Sequence, residues 1–334
     1  MAQSSDRSAP KGSGPQLVLV AAIGAFVGVG LLVLKNPVVP ALLLTDGIVA
    51  GLVLCAAGLG GMAVLPVFGL GPLPRYQQLL FGAGLGLGVL SALVLTLGLA
   101  GVLNRAVWIA LLALLAVAGL MRWRPGRSHD GTPPETPGPW RWLWLVVAPF
   151  LVLAILSACV PPGYLWAEEG QGYDVLEYHL QMPAEYLQAG RIAYAPHNVY
   201  ANFPANVEML YLLTMILFGG AIEAVIAAKL LNAGLGILAV AAAWMIGRQR
   251  GPIAGVVSAV LAASTGWLTY LSGVAYVENG MLLFGLLAAA AVNQAVTDPA
   301  RRNRWSALAG ALAGFSVGCK YPALALIAVP LALG

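Results

Sequence analysis

"VEMLYLLTMILFG", residues 207 to 219, is apolar enough for a membrane and too short to cross one. A hydrocarbon core roughly 30 Å thick needs about 20 residues of helix, and this run has thirteen. Its reading decides the fold, because one more span here would turn every later loop to the opposite side. Arg248, Arg250 and the "ARRNR" loop at 300–304 would then all lie outside. We therefore read 207–219 as a juxtamembrane or re-entrant helix.

Longer apolar runs surround it. Nine segments qualify as spans, near 17–34, 41–66, 78–102, 106–121, 142–160, 222–247, 252–271, 280–296 and 305–332. Apolar residues make up 60% of the chain and charged residues 9%, against about 25% charged in a soluble domain. The expected fold is an all-α polytopic transmembrane bundle of about nine spans with an outer loop of juxtamembrane helices. A barrel would instead show ten-residue alternating segments.

With a cytoplasmic N-terminus, twelve Lys and Arg residues fall in inside loops: Arg7, Lys11, Arg75, Arg122, Arg124, Arg127, Arg141, Arg248, Arg250, Arg301, Arg302 and Arg304. Only Lys35, Arg105 and Arg191 fall outside, with Lys229 and Lys320 intramembrane. This is the asymmetry of the positive-inside rule, so the net charge of +4 speaks for topology and against a nucleic-acid partner. The expected location is a bacterial-type cytoplasmic membrane, with 161–221 as an outer loop and the first apolar run as a retained signal anchor.

Residues 122–141, "RWRPGRSHDGTPPETPGPWR", mix Pro, Gly and charge as a flexible cytoplasmic linker does. They divide a four-helix membrane region, 1–121, from a second module, 142–334. In the first part "GAGLGLG" at 82–88 offers close helix contact through small residues, and Asp46 is read as an N-terminal helix cap at the interface. Cys55, Cys159 and Cys319 have neither the spacing nor the partners of a disulfide or metal framework.

The second module holds the chemistry. Eight of the thirteen acidic residues face its outer side: Glu168, Glu169, Asp174, Glu177, Glu185, Glu208, Glu223 and Glu278. "DVLEYHLQMPAEYLQAG", 174–190, reads as an interfacial helix that Asp174 can cap, with a second segment begun by Pro183 and ended by Gly190. Leu176, Leu180, Tyr186 and Leu187 form its apolar stripe. Asp174 and Tyr178, four apart, share a face. Spacing alone leaves capping and catalysis both open for Asp174.

Tyr200 and Tyr211 suit the headgroup level, and Tyr164, Trp166, Tyr194 and Tyr200 can anchor there or stack on sugar rings. His179 and His197 match no zinc spacing with Asp174 and are read as hydrogen-bonding residues. A charge inside a span costs at least about 2.5 kcal/mol, so Lys229 and Lys320 need a partner. Lipid phosphate, a buried acid and snorkelling to the interface all qualify.

The order "YDVLEYH", "NFP", "FGG", "AAKLLN", "YVEN" and "GCKYP" resembles the GT-C superfamily of polyprenyl-phosphate-sugar-dependent glycosyltransferases. It especially resembles bacterial relatives of the protein O-mannosyltransferases and of the lipid A aminoarabinose transferases. The resemblance covers roughly 142–334 and shows five of the about seven spans that the family module has. It implies transfer of a sugar from a polyprenyl phosphate to a lipid or protein acceptor at the outer face. Asp174 matches the acidic residue of the family's first outer loop, which acts as base or orients the acceptor, and Glu278 matches a second acidic position.

Independently of the resemblance, attack by a hydroxyl on a sugar C1 needs a carboxylate to accept the proton, and one suffices for single-step inversion. Glu278 could position the donor or, with Asp174, hold a divalent metal; a helix-start acid beside Asn279 is the alternative. Lys320 and Lys229 would grip the donor phosphate, with Tyr178, His179 and Tyr321 around the substrate. A degenerate, non-catalytic relative and a sugar-lipid transporter are the other readings.

Overall fold

The computed structural model describes residues 37–122, 138–160 and 172–333, with isolated positions between 23 and 30. The first expected span, most of the linker, and Tyr164, Trp166, Glu168 and Glu169 lie outside the described residues. Those described are helical, without strands. The elements are α1 (Val38–Val64), α2 (Arg75–Leu99), α3 (Arg105–Arg122), α4 (Trp144–Ala158), α5 (Gln181–Ala189), α6 (Asn206–Phe218), α7 (Val225–Arg248), α8 (Pro252–Ala263), α9 (Gly266–Ser272), α10 (Glu278–Thr297), α11 (Arg302–Val317) and α12 (Val329–Leu333). Among the described residues six helices are long and apolar enough to cross a membrane, and seven if α8 and α9 count as one span.

Two expected spans are broken. The α8–α9 pair bends by 61° because Thr265 is extended, and the hydroxyls of Ser264 and Thr265 donate to the freed carbonyl of Leu261 at 3.3 and 3.0 Å. Side-chain hydroxyls can replace a lost helical bond in this way. The run 305–332 is not one helix either, since α11 stops at Val317 and a π-helical turn, Leu324–Ala328, precedes α12. Pro322 has no N–H to continue the ladder. The Gly318 carbonyl instead accepts from the Asn206 N–H at 2.8 Å, and the Asn206 side chain donates to Phe315 O at 3.0 Å.

Asn206 also starts α6. Its own carbonyl accepts from the Ser91 hydroxyl at 2.6 Å, eight residues before the end of α2, which is about 12 Å inside that end at 1.5 Å per residue. Val207 lies against Gly280, and one turn later the Tyr211 hydroxyl donates to Tyr276 O. The helix therefore begins inside the bundle, beside Ser91 of α2 and Gly280 of α10. Every side chain from Val207 to Ile216 is buried. Tyr211, expected at the headgroup level, is fully enclosed.

Close packing follows the small residues. A Cβ at Gly61 would overlap the Gly82 carbonyl, and one at Gly86 would overlap that of Ala57, so α1 and α2 touch backbone to backbone. On its other faces α2 takes Leu287 and Leu312 against Gly84 and Phe315 against Gly88. The two sides of the linker consequently share one core, running from Ala50 to Cys319. Asp46 is no cap: it is buried eight residues beyond the start of α1 and accepts from Thr45 at 2.6 Å.

Charges sort to the two ends. Arg304 donates to Gly69 O, Arg301 lies against Gly71, and Arg248 sits over the rings of Tyr76 and Trp244. At the opposite end the Ile192 N–H donates to Gly98 O, docking the 172–204 loop on the α2–α3 turn.

Candidate functional site

The loop begins with a π-helical turn, Val175–His179, closed by the Leu180 N–H donating to Val175 O. The widened i to i+5 turn lets Tyr178, His179 and Leu180 all face inward, while Leu176, expected in the apolar stripe, is exposed. Asp174 makes no side-chain cap. Its Oδ2 accepts from the Tyr178 hydroxyl at 3.1 Å, so the shared face is real and the capping role is not. After Leu180 the chain enters α5, which Gly190 ends at φ 66°, a left-handed conformation that favours glycine.

Asn198 ties the loop to itself. Its amide donates to Glu177 O at 2.7 Å and its oxygen accepts from the Tyr200 N–H at 2.9 Å. This stacks Tyr200 on Tyr178 with ring centroids 5.1 Å apart at 21°. Tyr173 meets the edge of Tyr200, and Phe203 stands edge-on to Tyr178 and Tyr200 and 5.8 Å from Tyr321. The result is an aromatic row from Tyr173, beside Asp174, to Tyr321, beside Lys320.

Glu278 opens α10, where the helix N-terminus favours an anion. Its Oε1 lies 2.5 Å from Lys320 Nζ, both side chains being partly buried. The buried-acid partner is thus the one Lys320 takes. The turn before Glu278 is held by Asn232, which donates to Leu271 O and Val274 O, and by Asn279, which donates to Asn232 O and to the Ser272 hydroxyl. Lys229 belongs elsewhere: it is buried and donates to Val160 O just beyond the end of α4, where a cation suits the carbonyls of a helix C-terminus.

His179 finds an acid partner in place of a tyrosine or backbone group. Nδ1 lies 2.7 Å from Glu208 Oε1, and both side chains are at most 5% exposed. His197 pairs in the same manner with Glu185 at 3.0 Å, but at the surface. Glu208 also borders a cavity of about 10 Å³ between Tyr178, Tyr186, Tyr200 and Phe203, the size of one water.

The electrostatics bind these pieces together. The Tyr178 phenol is pushed far above its usual range by burial first, then by Asp174, with smaller contributions from Glu208 and Glu278. Three carboxylates from separate segments therefore act on one phenol. The Tyr173 phenol is pushed up to about 12, chiefly by its hydrogen bond with Tyr200 and then by Glu177. Among the described residues no three His, Cys, Asp or Glu side chains are grouped to hold a metal ion.

Sequence reasoning missed Glu208 as a site residue and Asn198, Asn206, Asn232 and Asn279 as the supports. The one available signal was a glutamate inside an otherwise apolar thirteen-residue helix, which must find a partner. Compared with known families, curated proteins and solved structures, the chain matches no family model, no curated protein and no solved structure.

Proposed function

We propose that this membrane protein is a glycosyltransferase that moves a sugar from a polyprenyl phosphate onto a lipid or protein acceptor at the outer face. The observation that carries the reading is the aromatic row in which Tyr178 holds the Asp174 carboxylate and whose last ring, Tyr321, directly follows Lys320 of the Glu278–Lys320 pair in the chain. Aromatic faces take sugar rings, a half-buried carboxylate can accept the acceptor's proton, and an ammonium already beside an acid can turn to a phosphate as charge develops on it. Asp174 is the base, held by Tyr178. Glu278 positions Lys320, and Tyr321 flanks the phosphate; His179 supports the row from behind. Lys229 has no part in this assignment.

A non-catalytic relative is the second reading, and one observation favours it: Lys320 is already neutralised by Glu278. The deciding experiment gives the purified full chain a labelled polyprenyl-phosphate sugar and compares Asp174→Asn. Transfer that falls about 100-fold or more in the variant, in line with loss of a general base, supports the assignment. Transfer unchanged by the substitution removes Asp174 as base, and donor binding without transfer selects the non-catalytic reading.

A further inference from the structure

Glu208 is the one charged residue of α6, and the first turn of that helix buries it inside the bundle. Its Oε1 lies 2.7 Å from His179 Nδ1, while Oε2 and the His179 Nε2 have no hydrogen-bond partner among the described residues. A buried pair satisfied on one side only is a poor source of stability, since apolar side chains of similar volume often do as well or better. What a directional bond adds is one allowed register for the segments it joins.

The segment that needs a register is the turn after Asp174. Three consecutive side chains, Tyr178, His179 and Leu180, are buried there, and an α-helical turn, stepping about 100° per residue, cannot place all three on one side. The π closure, with the Leu180 N–H on Val175 O, does so; it is a rare form that is frequent at functional sites. The His179 ring centroid is 4.1 Å from that of Tyr178 and 5.4 Å from that of Tyr276. One turn after Glu208 on the same helix, the Tyr211 hydroxyl donates to Tyr276 O. Through Glu208, α6 therefore holds the turn behind Asp174, and through Tyr211 it holds the turn before Glu278.

We propose that Glu208 and His179 are a positioning pair for the glycosyl transfer described above, on which reading this inference rests. Their bond keeps the turn in its π form, so that the Tyr178 hydroxyl stays on Asp174 Oδ2 at 3.1 Å and the carboxylate keeps a fixed place relative to Glu278 and Lys320. The pair acts through Tyr178 and not on the substrate.

His179→Phe/Glu208→Leu fills the space without a directional bond and tests this in the full chain with a labelled polyprenyl-phosphate sugar. Its melting temperature should stay within a few degrees of the parent and its KM for the donor within about threefold, while kcat falls about 100-fold, the scale of a misplacement of about 1 Å. Tyr178→Phe should lower kcat too, and adding it to the double variant should cost nothing further, because both act through one contact. Glu208→Gln, which keeps an acceptor for His179 Nδ1 and alters the fold least, should retain kcat within about fivefold. Unchanged kcat in the double variant, a loss in KM alone, losses that multiply with Tyr178→Phe, or a 100-fold loss in Glu208→Gln each overturn the proposal. Hydrogen exchange of the Leu180 amide reads the turn apart from any transfer: it should be at least about tenfold faster in the double variant and at the parent's rate in Glu208→Gln. Equal exchange in all three overturns the pair's hold on the turn. Faster exchange in a chain whose parent transfers no sugar keeps that hold and removes the glycosyltransferase reading instead.

Discussion

His179 and Glu208, 29 residues apart in sequence, meet at 2.7 Å inside the bundle, and the outer atom of each, Nε2 and Oε2, has no hydrogen-bond partner among the described residues. A buried pair satisfied on one side only holds two segments in register and gives nothing back if broken. Glu208→Leu should cost about 3–5 kcal/mol, the range for uncoupling a buried pair. His179→Phe/Glu208→Leu should recover most of it. Thermal unfolding of the four species in a double-mutant cycle checks this; additive single effects would show that the pair is not coupled.

The Glu278–Lys320 pair is less enclosed, with side chains 19% and 33% exposed. Lys320→Met should destabilise by roughly 1–3 kcal/mol, below a fully buried pair because solvent screens it. Adding Glu278→Gln should return most of the loss. If the proposed donor site is right, the double variant folds normally and binds lipid-linked phosphate more weakly than the parent. Stability and donor binding measured on the same preparations separate the two roles.

Gly61 and Gly86 are set by contact, since no side chain fits between α1 and α2 at either place. Gly61→Ala should push the helices apart and cost at least about 2 kcal/mol, at the upper part of the range for overpacking. Gly51→Ala, where a Cβ would meet nothing within 4 Å, should be neutral or slightly stabilising. Melting temperatures of the two variants in one detergent give the comparison, and equal effects would contradict the packing.

Arg191 and Arg250 lie at opposite ends of the bundle, one beside the α2–α3 turn at Gly101 and the other just beyond α7. In a chain freed of native cysteines, Arg191→Cys should react with an impermeant maleimide applied to intact cells. Arg250→Cys should react only after permeabilisation. Reaction of Arg250→Cys alone in intact cells would reverse the topology assigned from arginine placement.

How much of this could be read from sequence depended on range. Gly190, "GAGLGLG" and the arginine clusters act through local conformation, small size or net charge, properties a residue carries wherever its partners are. The 13-residue run was recognisable as something other than a span because length alone excludes it. What could not be read were pairings set by the folded bundle. Asn206 reaches Ser91 and Phe315 across 115 and 109 residues, and Lys320 reaches Glu278 across 42. Asp174 looked like a cap because it precedes a helical turn, but the turn is π-helical and buried, and the nearby Tyr178 hydroxyl took the carboxylate instead. The Thr265 break sits in "STG", residues 264–266, and one glycine with two hydroxyls inside a long apolar run is a weak signal against a single span.

The break after α11 has a mechanical meaning. Its loose carbonyls are held by the residue that starts α6, so the 172–204 loop and the segment carrying Lys320 are fastened at Asn206 and again where Tyr321 meets Phe203. A swing of the loop cannot leave Lys320 behind. Whatever opens this face must carry the carboxylate of Asp174 and the ammonium of Lys320 as parts of one moving body, or first break both the Asn206 hydrogen bonds and the Phe203–Tyr321 contact.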